Sequence, residues 1–180
     1  MNAAMHDASA YATLAAPHTV RLQRRLPGPI ERVWAYLTDG ELRRQWLAAG
    51  VMQAQAGSEF ELVWRNDELT NPPGVRPDGF SAEHRMHSTI AAFDPPHRLV
   101  FTWNGTGEVS FELERDGDEV LLTVTHREIR DRSMMLKIGA GWHSHLDILV
   151  ARVAGAPDPG PFWEYWQGLR SEYEQRIPNA

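Results

Sequence analysis

The chain has 180 residues, a length that favours one domain able to bury a substantial core without metals or disulfides. It contains no cysteine, which excludes disulfides and a cysteine nucleophile and is compatible with a reducing, cytoplasmic location. The formal charge of -6 argues against nucleic acid as a partner, because lysine and arginine supply the affinity for phosphates. No stretch approaches about 18 uncharged apolar residues, so no membrane span is expected.

The first part of the chain predicts an extension, a strand and two helices. Residues 1–17 are alanine-rich and lack the features of a secretory signal, so we predict a flexible N-terminal extension there. Residues 18–26 alternate between apolar and polar, which is the period of a half-buried strand. Apolar residues at helical spacing from Ile30 to Leu37 predict a helix, and the capping-box spacing of Thr38 and Glu41 predicts a second, short helix.

The middle of the chain carries strand periodicity and turn sequences. The predicted strands cover residues 58–65 and about 82–93, 98–104, 107–115 and 119–129. Turn chemistry at Asn104-Gly105 and Asp116-Gly117 predicts hairpins, and therefore an antiparallel sheet. The long connection 66–81 contains several prolines and glycines and is typical of either a functional lid or a mobile loop.

The last part of the chain has helical periodicity. An apolar stripe from Met135 to Val153 predicts a long amphipathic helix, in which Gly139 and Gly141 indicate a kink or a close approach to the sheet. A final helix is predicted from Phe162 to Ile177. The chain therefore predicts an α+β fold with two short helices after the first strand, an antiparallel sheet of about six or seven strands and a long C-terminal helix.

Three separated motifs carry a family resemblance. They are residues 29–38 with Trp46, residues 94–103, and Gly141-Trp142 with Leu146, Asp147 and Leu149. Over about residues 18–155 the chain resembles the activator-of-heat-shock-protein-90-ATPase homologues, within the START-like or SRPBCC superfamily. The tail, residues 156–180, resembles a helical extension of some bacterial members and is expected to pack on the same domain.

The resemblance implies a helix-grip fold, in which a curved antiparallel sheet wraps around the long C-terminal helix. It also implies a deep cavity between sheet and helix, used elsewhere in the superfamily for lipids, sterols, polyketides and aromatic molecules. It implies no universal catalytic residue.

Inward-facing residues of the predicted strands and helix are candidates for the wall of such a cavity. Each of them could equally fill a solid core, because pockets are lined mainly by core-type residues. The candidates are Trp46, Phe60, Leu62, Trp64, Phe101, Trp103, Phe111, Leu122, Val124, His126, Met135, Trp142, His145, Leu146 and Leu149.

Three polar residues interrupt these apolar faces. His126 lies on a strand face with apolar neighbours, where it could orient a ligand, act as acid or base, or be a structural histidine with satisfied hydrogen bonds. His145 carries the same alternatives. Arg24 could bind an anionic ligand or pair with an internal acid such as Glu61, and the internal pair is the favoured interpretation.

The histidine pairs do not predict a metal site. His84 and His87 point to opposite faces of a strand, and His143 and His145 lie far apart around a helix. The sequence also has no G-x-S-x-G motif and no phosphate-binding loop. We therefore predict no metal, no cofactor and no catalytic residue.

Three functions stay open. The first is non-catalytic binding of a small hydrophobic or aromatic molecule between sheet and helix. The second is a protein-interaction module for a chaperone or another partner, which needs an exposed apolar patch. The third is an enzyme resembling polyketide cyclases or dehydratases, with His126 or His145 as acid or base. A homodimer through the sheet edges or the aromatic tail is compatible with each.

Overall fold

One antiparallel sheet forms the centre of the computed structural model, which describes residues 8–104 and 107–179. Its strands are β1 Thr13–Ala16, β2 Thr19–Pro27, β3 Glu59–Trp64, β4 His84–Asp94, β5 Arg98–Trp103, β6 Gly107–Asp116 and β7 Glu119–Arg127. They lie in the order β1-β2-β7-β6-β5-β4-β3, so β1 and β3 are the edges. Of the predicted turn Asn104-Gly105, the glycine lies outside the described residues.

Four helices accompany the sheet. They are α1 Ile30–Thr38, α2 Gly40–Arg43, α3 Arg132–Ala154 and α4 Phe162–Arg176, with 3-10 turns at Ala8–Ala10 and Asn66–Glu68. This arrangement confirms the predicted α+β, helix-grip fold. Within the described ranges, no helix combines the length and apolar character that a bilayer crossing requires.

The centre of the sheet is covered by α3 and is filled. In β2, the alternation predicted from the sequence places Leu22 and Leu26 at or below 1 % exposure on the helix side. Leu22 faces Val124 of β7, which in turn faces Phe111 of β6. These side chains and Leu146 of α3 are all 1 % exposed or less, so apolar burial joins the sheet and the helix.

The cap of α2 differs from the prediction. Asp39, and not Thr38, is the N-cap, because its carboxylate accepts from the backbone N–H groups of Glu41 and Leu42 at 2.8 and 3.1 Å. The Thr38 hydroxyl instead donates to the Trp34 carbonyl at 3.0 Å, since Thr38 still belongs to the last turn of α1.

The glycines of α3 lie next to side chains of α4, whereas the sequence predicted a kink or a close approach to the sheet. A Cβ atom at Gly139 would lie 3.6 Å from the ring of Tyr173, which is an ordinary van der Waals contact. Helix α3 continues through both glycines without interruption, from its cap at Asp131 to Ala154. Gly139 therefore lies at the contact between α3 and α4.

The segment before residue 18 also differs from the predicted flexible extension. Residues 1–7 lie outside the described residues, but β1 pairs with β2 and Tyr11 is 6 % exposed. The Tyr11 hydroxyl donates to Glu172, and the guanidinium of Arg176 lies 3.5 Å from the centre of the Tyr11 ring. The backbone N–H of Ala12 donates to the Tyr173 hydroxyl at 2.7 Å. Side chains of α4 thus hold this segment in place.

A buried carboxylate joins α3 to both β2 and α4. Asp147 Oδ1 accepts from Arg24 Nε at 2.9 Å, and Oδ2 accepts from the Tyr165 hydroxyl at 2.5 Å. Burial alone would raise the pKa of Asp147, but the contact with His143 and the charge of Arg24 outweigh it and lower the pKa to about 2. Arg24 thus has an internal partner, as favoured, although the partner is Asp147; Glu61 pairs with Arg85 instead.

We predict that Asp147→Ala destabilises the protein by about 3 kcal/mol, because it leaves the Arg24 guanidinium, 8 % exposed, without its carboxylate. The adjacent Arg25 forms an exposed pair with Asp116, so Asp116→Ala is the matched control and should cost under about 1 kcal/mol. Urea unfolding at neutral pH measures both changes. Similar losses in the two variants would contradict this role of Asp147.

Candidate functional site

A cavity of about 380 Å³ lies at one end of the sheet. The ends of β3 and β5 bound it on one side, through Trp64 and Trp103, and α3 and α4 bound it on the other. The 66–83 connection covers part of it. The volume falls within the range of small-molecule sites, toward its lower end.

Seven of the 18 described residues that line the cavity are phenylalanine or tryptophan. They are Trp64, Phe80, Trp103, Trp142, Phe162, Trp163 and Trp166. The ring centres of Trp64 and Trp103 are 5.5 Å apart, and those of Trp103 and Trp142 are 5.8 Å apart. Such contacts hold the rings in fixed orientations, so the cavity presents a preformed aromatic surface.

One face of α3 runs along the cavity. Met134, Lys137, Ile138, Gly141 and His145 line it, and their spacing of three or four residues places them on the same side of the helix. At 1.5 Å per residue, Lys137 and His145 are separated by about 12 Å along the helix axis. Lys137 is exposed and His145 is 6 % exposed, so the cavity has an open end and a closed end.

His145 offers an acceptor at the closed end. Its Nδ1 lies 2.7 Å from the Trp46 carbonyl oxygen, and since a carbonyl only accepts, Nδ1 carries the hydrogen. Burial lowers the pKa of His145 to about 4, despite the opposing effect of this hydrogen bond, so the ring is neutral near pH 7. Nε2 of a neutral ring protonated at Nδ1 is an acceptor. Among the described residues, no group hydrogen-bonds to it.

The segment that carries the Trp46 carbonyl is anchored by hydrogen bonds, several of them from a buried arginine. Trp46 follows α2, and its indole N–H donates to the Tyr36 carbonyl at 2.8 Å. Arg43 is 1 % exposed and donates to the carbonyls of Ala48, Leu37, Thr38 and Gly50. A side chain at Gly50 would collide with the Glu61 carbonyl, so only glycine lets β3 approach this segment. The carbonyl that accepts from His145 thus belongs to an anchored segment.

The wall also contains an uncharged amide, Asn66, and a cation, Lys137. Asn66 has a side-chain oxygen that is buried and has no hydrogen-bond partner within the described part of the chain. Lys137 carries the positive charge, while the described residues of the wall include neither aspartate nor glutamate. The nearby Asp67 is occupied, since it accepts from Trp163 Nε1 at 2.7 Å and from Arg76 at 2.8 Å.

The 66–83 connection is anchored at its start and covers the cavity near its end. Thr70 accepts from the backbone N–H of Phe162, and the Pro73 carbonyl accepts from that of Trp163. Further on, the Phe80 ring lies 5.2 Å from the ring of Trp163 and 5.1 Å from that of Trp166. The connection therefore covers part of the cavity through Phe80.

Four of the predicted wall residues line the cavity: Trp64, Trp103, Trp142 and His145. Others lie in the solid core instead, namely Trp46, Phe60, Leu62, Phe101, Phe111, Leu122, Val124, His126, Leu146 and Leu149. Met135 is partly buried against this core, and the adjacent Met134 lines the cavity. Met134 and Met135 point to different sides of α3, because one residue step along a helix turns the side chain by about 100°.

His126 is a structural histidine in this arrangement. Its Nδ1 accepts from the indole N–H of Trp142 at 3.1 Å, and its ring is 4.8 Å from the ring of Trp103. It is 2 % exposed and does not line the cavity. Burial lowers its pKa to about 4.

Several wall residues were missed by the sequence analysis, among them Asn66, Phe80, Lys137 and the α4 residues Phe162, Trp163 and Trp166. The aromatic spacing of α4 was recognised, but nothing in its period indicates that α4 covers the end of the sheet. In the ranges that the structure describes, no group of three or more acidic or histidine side chains could hold a metal ion.

Two of the buried histidines, His126 and His145, should make the fold sensitive to acid. Their pKa values lie near 4 in the folded state and near 6.5 in the unfolded chain, so the unfolded chain binds more protons between these values. The free energy of unfolding therefore falls as the pH decreases through this window, by about 3 kcal/mol for each histidine.

Urea unfolding at about pH 7.5 and about pH 5 measures this loss. His126→Gln should remove roughly half of the pH dependence, since glutamine can still accept from Trp142 and does not titrate. His87→Gln changes a side chain that is 88 % exposed, so it should leave the pH dependence of unfolding unchanged. Equal pH dependence in all three proteins would contradict the assignment.

Comparisons with known proteins place this geometry in a family. No curated protein matches the chain. Among solved structures, the protein encoded by BPP1335 of Bordetella parapertussis is 37% identical, with a TM-score of 0.77 over 93% of this chain and 90% of that one. CalU16 of Micromonospora echinospora is 22% identical, with a TM-score of 0.65 over 89% of each chain, and shows the same fold.

DynU16, a protein in the dynemicin biosynthetic locus, also shares the fold, at 20% identity and a TM-score of 0.62 over 80% of this chain and 50% of that one. The family model described as Activator of Hsp90 ATPase homolog 1-like protein matches residues 27–154, well over half of the chain. The chain therefore belongs to the family of Activator of Hsp90 ATPase homolog 1-like proteins.

Proposed function

We propose that this protein binds a small planar aromatic molecule, without transforming it, in the cavity at the end of the sheet. The observation that carries the proposal is the wall itself, in which the rings of Trp64, Trp103, Trp142, Trp163 and Trp166 surround about 380 Å³. Burial of an aromatic ligand against such rings combines apolar transfer with favourable ring–ring geometry.

The state of the two histidines favours binding over catalysis. A general base at neutral pH works best with a pKa near 7, and His145 has a pKa of about 4. His126 is separated from the cavity by its position in the core. The cyclase or dehydratase hypothesis would need one of these residues to exchange protons with a substrate.

The description of the family suggests a chaperone partner. The exposed apolar side chains of the protein give this partner less support. The exposed large apolar side chains of the described residues are Leu14, Val51, Val75 and Phe80. Phe80 belongs to the wall of the cavity. Leu14 lies on β1, at the opposite edge of the sheet from β3. Small-molecule binding is therefore the function that the geometry supports best.

We predict that Gly141→Leu weakens aromatic binding by at least about tenfold, because the new side chain fills the cavity. A Cβ atom at Gly141 meets only Trp166 Nε1, at 4.0 Å, so leucine should enter open space without disturbing the core. Gly168→Leu is the matched control: it makes the same exchange at an exposed position of α4 where nothing lies within 4 Å.

Both variants gain helix propensity, so neither should unfold. The measurement is quenching of tryptophan fluorescence by 2-naphthol, with the dissociation constant obtained by titration. The unaltered protein and Gly168→Leu should show the same saturable quenching. Absence of saturable binding in the unaltered protein, or equal binding in both variants, would contradict the proposed site.

A further inference from the structure

We propose that the ligand is an elongated hydroxyaryl carboxylate, bound with its hydroxyl group at the closed end of the cavity and its carboxylate at the open end. This inference rests on the proposed function and adds the chemical class of the ligand. It is carried by one polar group at each end of the aromatic wall, His145 at the closed end and Lys137 at the open end.

The closed end requires a donor from the ligand. His145 is fixed as an acceptor there, because its Nδ1–H is committed to the Trp46 carbonyl at 2.7 Å. The ring cannot turn to present a donor without breaking that bond, which is buried. A hydroxyl group on the ligand satisfies Nε2, whereas an ether or a carbonyl oxygen would face it lone pair to lone pair.

The open end favours a negative charge. Lys137 is exposed at the mouth, and in the described wall its charge is balanced by no carboxylate. Asp67, which could have countered it, is held by Arg76 and Trp163. A carboxylate at the mouth can pair with Lys137 while remaining partly in water, so little desolvation opposes the contact.

The distance between the ends sets the shape of the ligand. Lys137 and His145 lie about 12 Å apart along α3, on the face that lines the cavity. Between them, Gly141 leaves the helix surface open, and Trp103 and Trp166 bound the space from the sheet and from α4. A flat molecule with its two polar groups at opposite ends fits this channel.

Three matched compounds test the assignment. The reference is 6-hydroxy-2-naphthoic acid, which carries a hydroxyl and a carboxylate at opposite ends of two fused rings. In 6-methoxy-2-naphthoic acid the donor is lost, and binding should weaken about tenfold. In methyl 6-hydroxy-2-naphthoate the charge is lost, and binding should weaken about threefold. Isothermal titration calorimetry measures all three, with 2-naphthol as the test of aromatic binding itself.

Two variants connect each preference to a residue. His145→Asn keeps an N–H able to donate to the Trp46 carbonyl but is too short to place an acceptor at the position of Nε2, so the hydroxy compound should lose its advantage over the methoxy compound. Lys137→Met keeps a long side chain and removes the charge, so acid and ester should bind equally. Each variant should leave the preference governed by the other residue unchanged.

The outcomes separate this inference from the proposed function. If 2-naphthol binds but the three naphthoates bind with equal affinity, the ligand class is wrong and the aromatic site stands. If 2-naphthol fails as well, the aromatic site itself is wrong. If His145→Asn weakens all three naphthoates by the same factor, His145 has only a structural role and its assignment as the acceptor is overturned. The Lys137→Met result, at an exposed position, tests the open end even if His145→Asn fails to fold.

Discussion

The carboxylate of Asp147 is the constraint on which the rest of the structure depends. It lies in the middle of α3 and accepts from Arg24 of β2 on one side and from Tyr165 of α4 on the other. A charged pair withdrawn from water is stabilising only if both members are well bonded, so strand, long helix and final helix must meet in one arrangement. Because α4 carries Trp163 and Trp166, the cavity is complete only when this junction has formed.

The cavity lies where the packing of the core comes to an end. Beneath the central strands, Phe101, Phe111 and Trp142 meet edge to face, with ring centres 5.5 and 5.7 Å apart, and leave no place for a ligand. At the ends of β3 and β5 the sheet stops but the helices continue, and large rings bridge the remaining gap.

The sequence predicts the strands and the long helix well because their periods depend on neighbours close in the chain. Alternation in β2 and the stripe of α3 identify the faces that turn inward. Whether the space behind those faces is filled depends on contacts between distant segments, such as Phe80 with Trp166, and no local period encodes them. The prediction of Thr38 as the cap of α2 was wrong for a similar reason. Thr38 and Asp39 both carry a suitable oxygen, but Thr38 still belongs to the last turn of α1, so Asp39 is the cap.

The position of α4 has a consequence for how this fold diversifies. The segment that defines the family ends at residue 154, while the rings of Phe162, Trp163 and Trp166 come from residues beyond it. One wall of the cavity is thus built from residues outside the segment that the family model matches. A change of α4 that keeps the contact of Tyr165 with Asp147 would therefore alter this wall and its chemistry, while the segment that determines family membership stays the same.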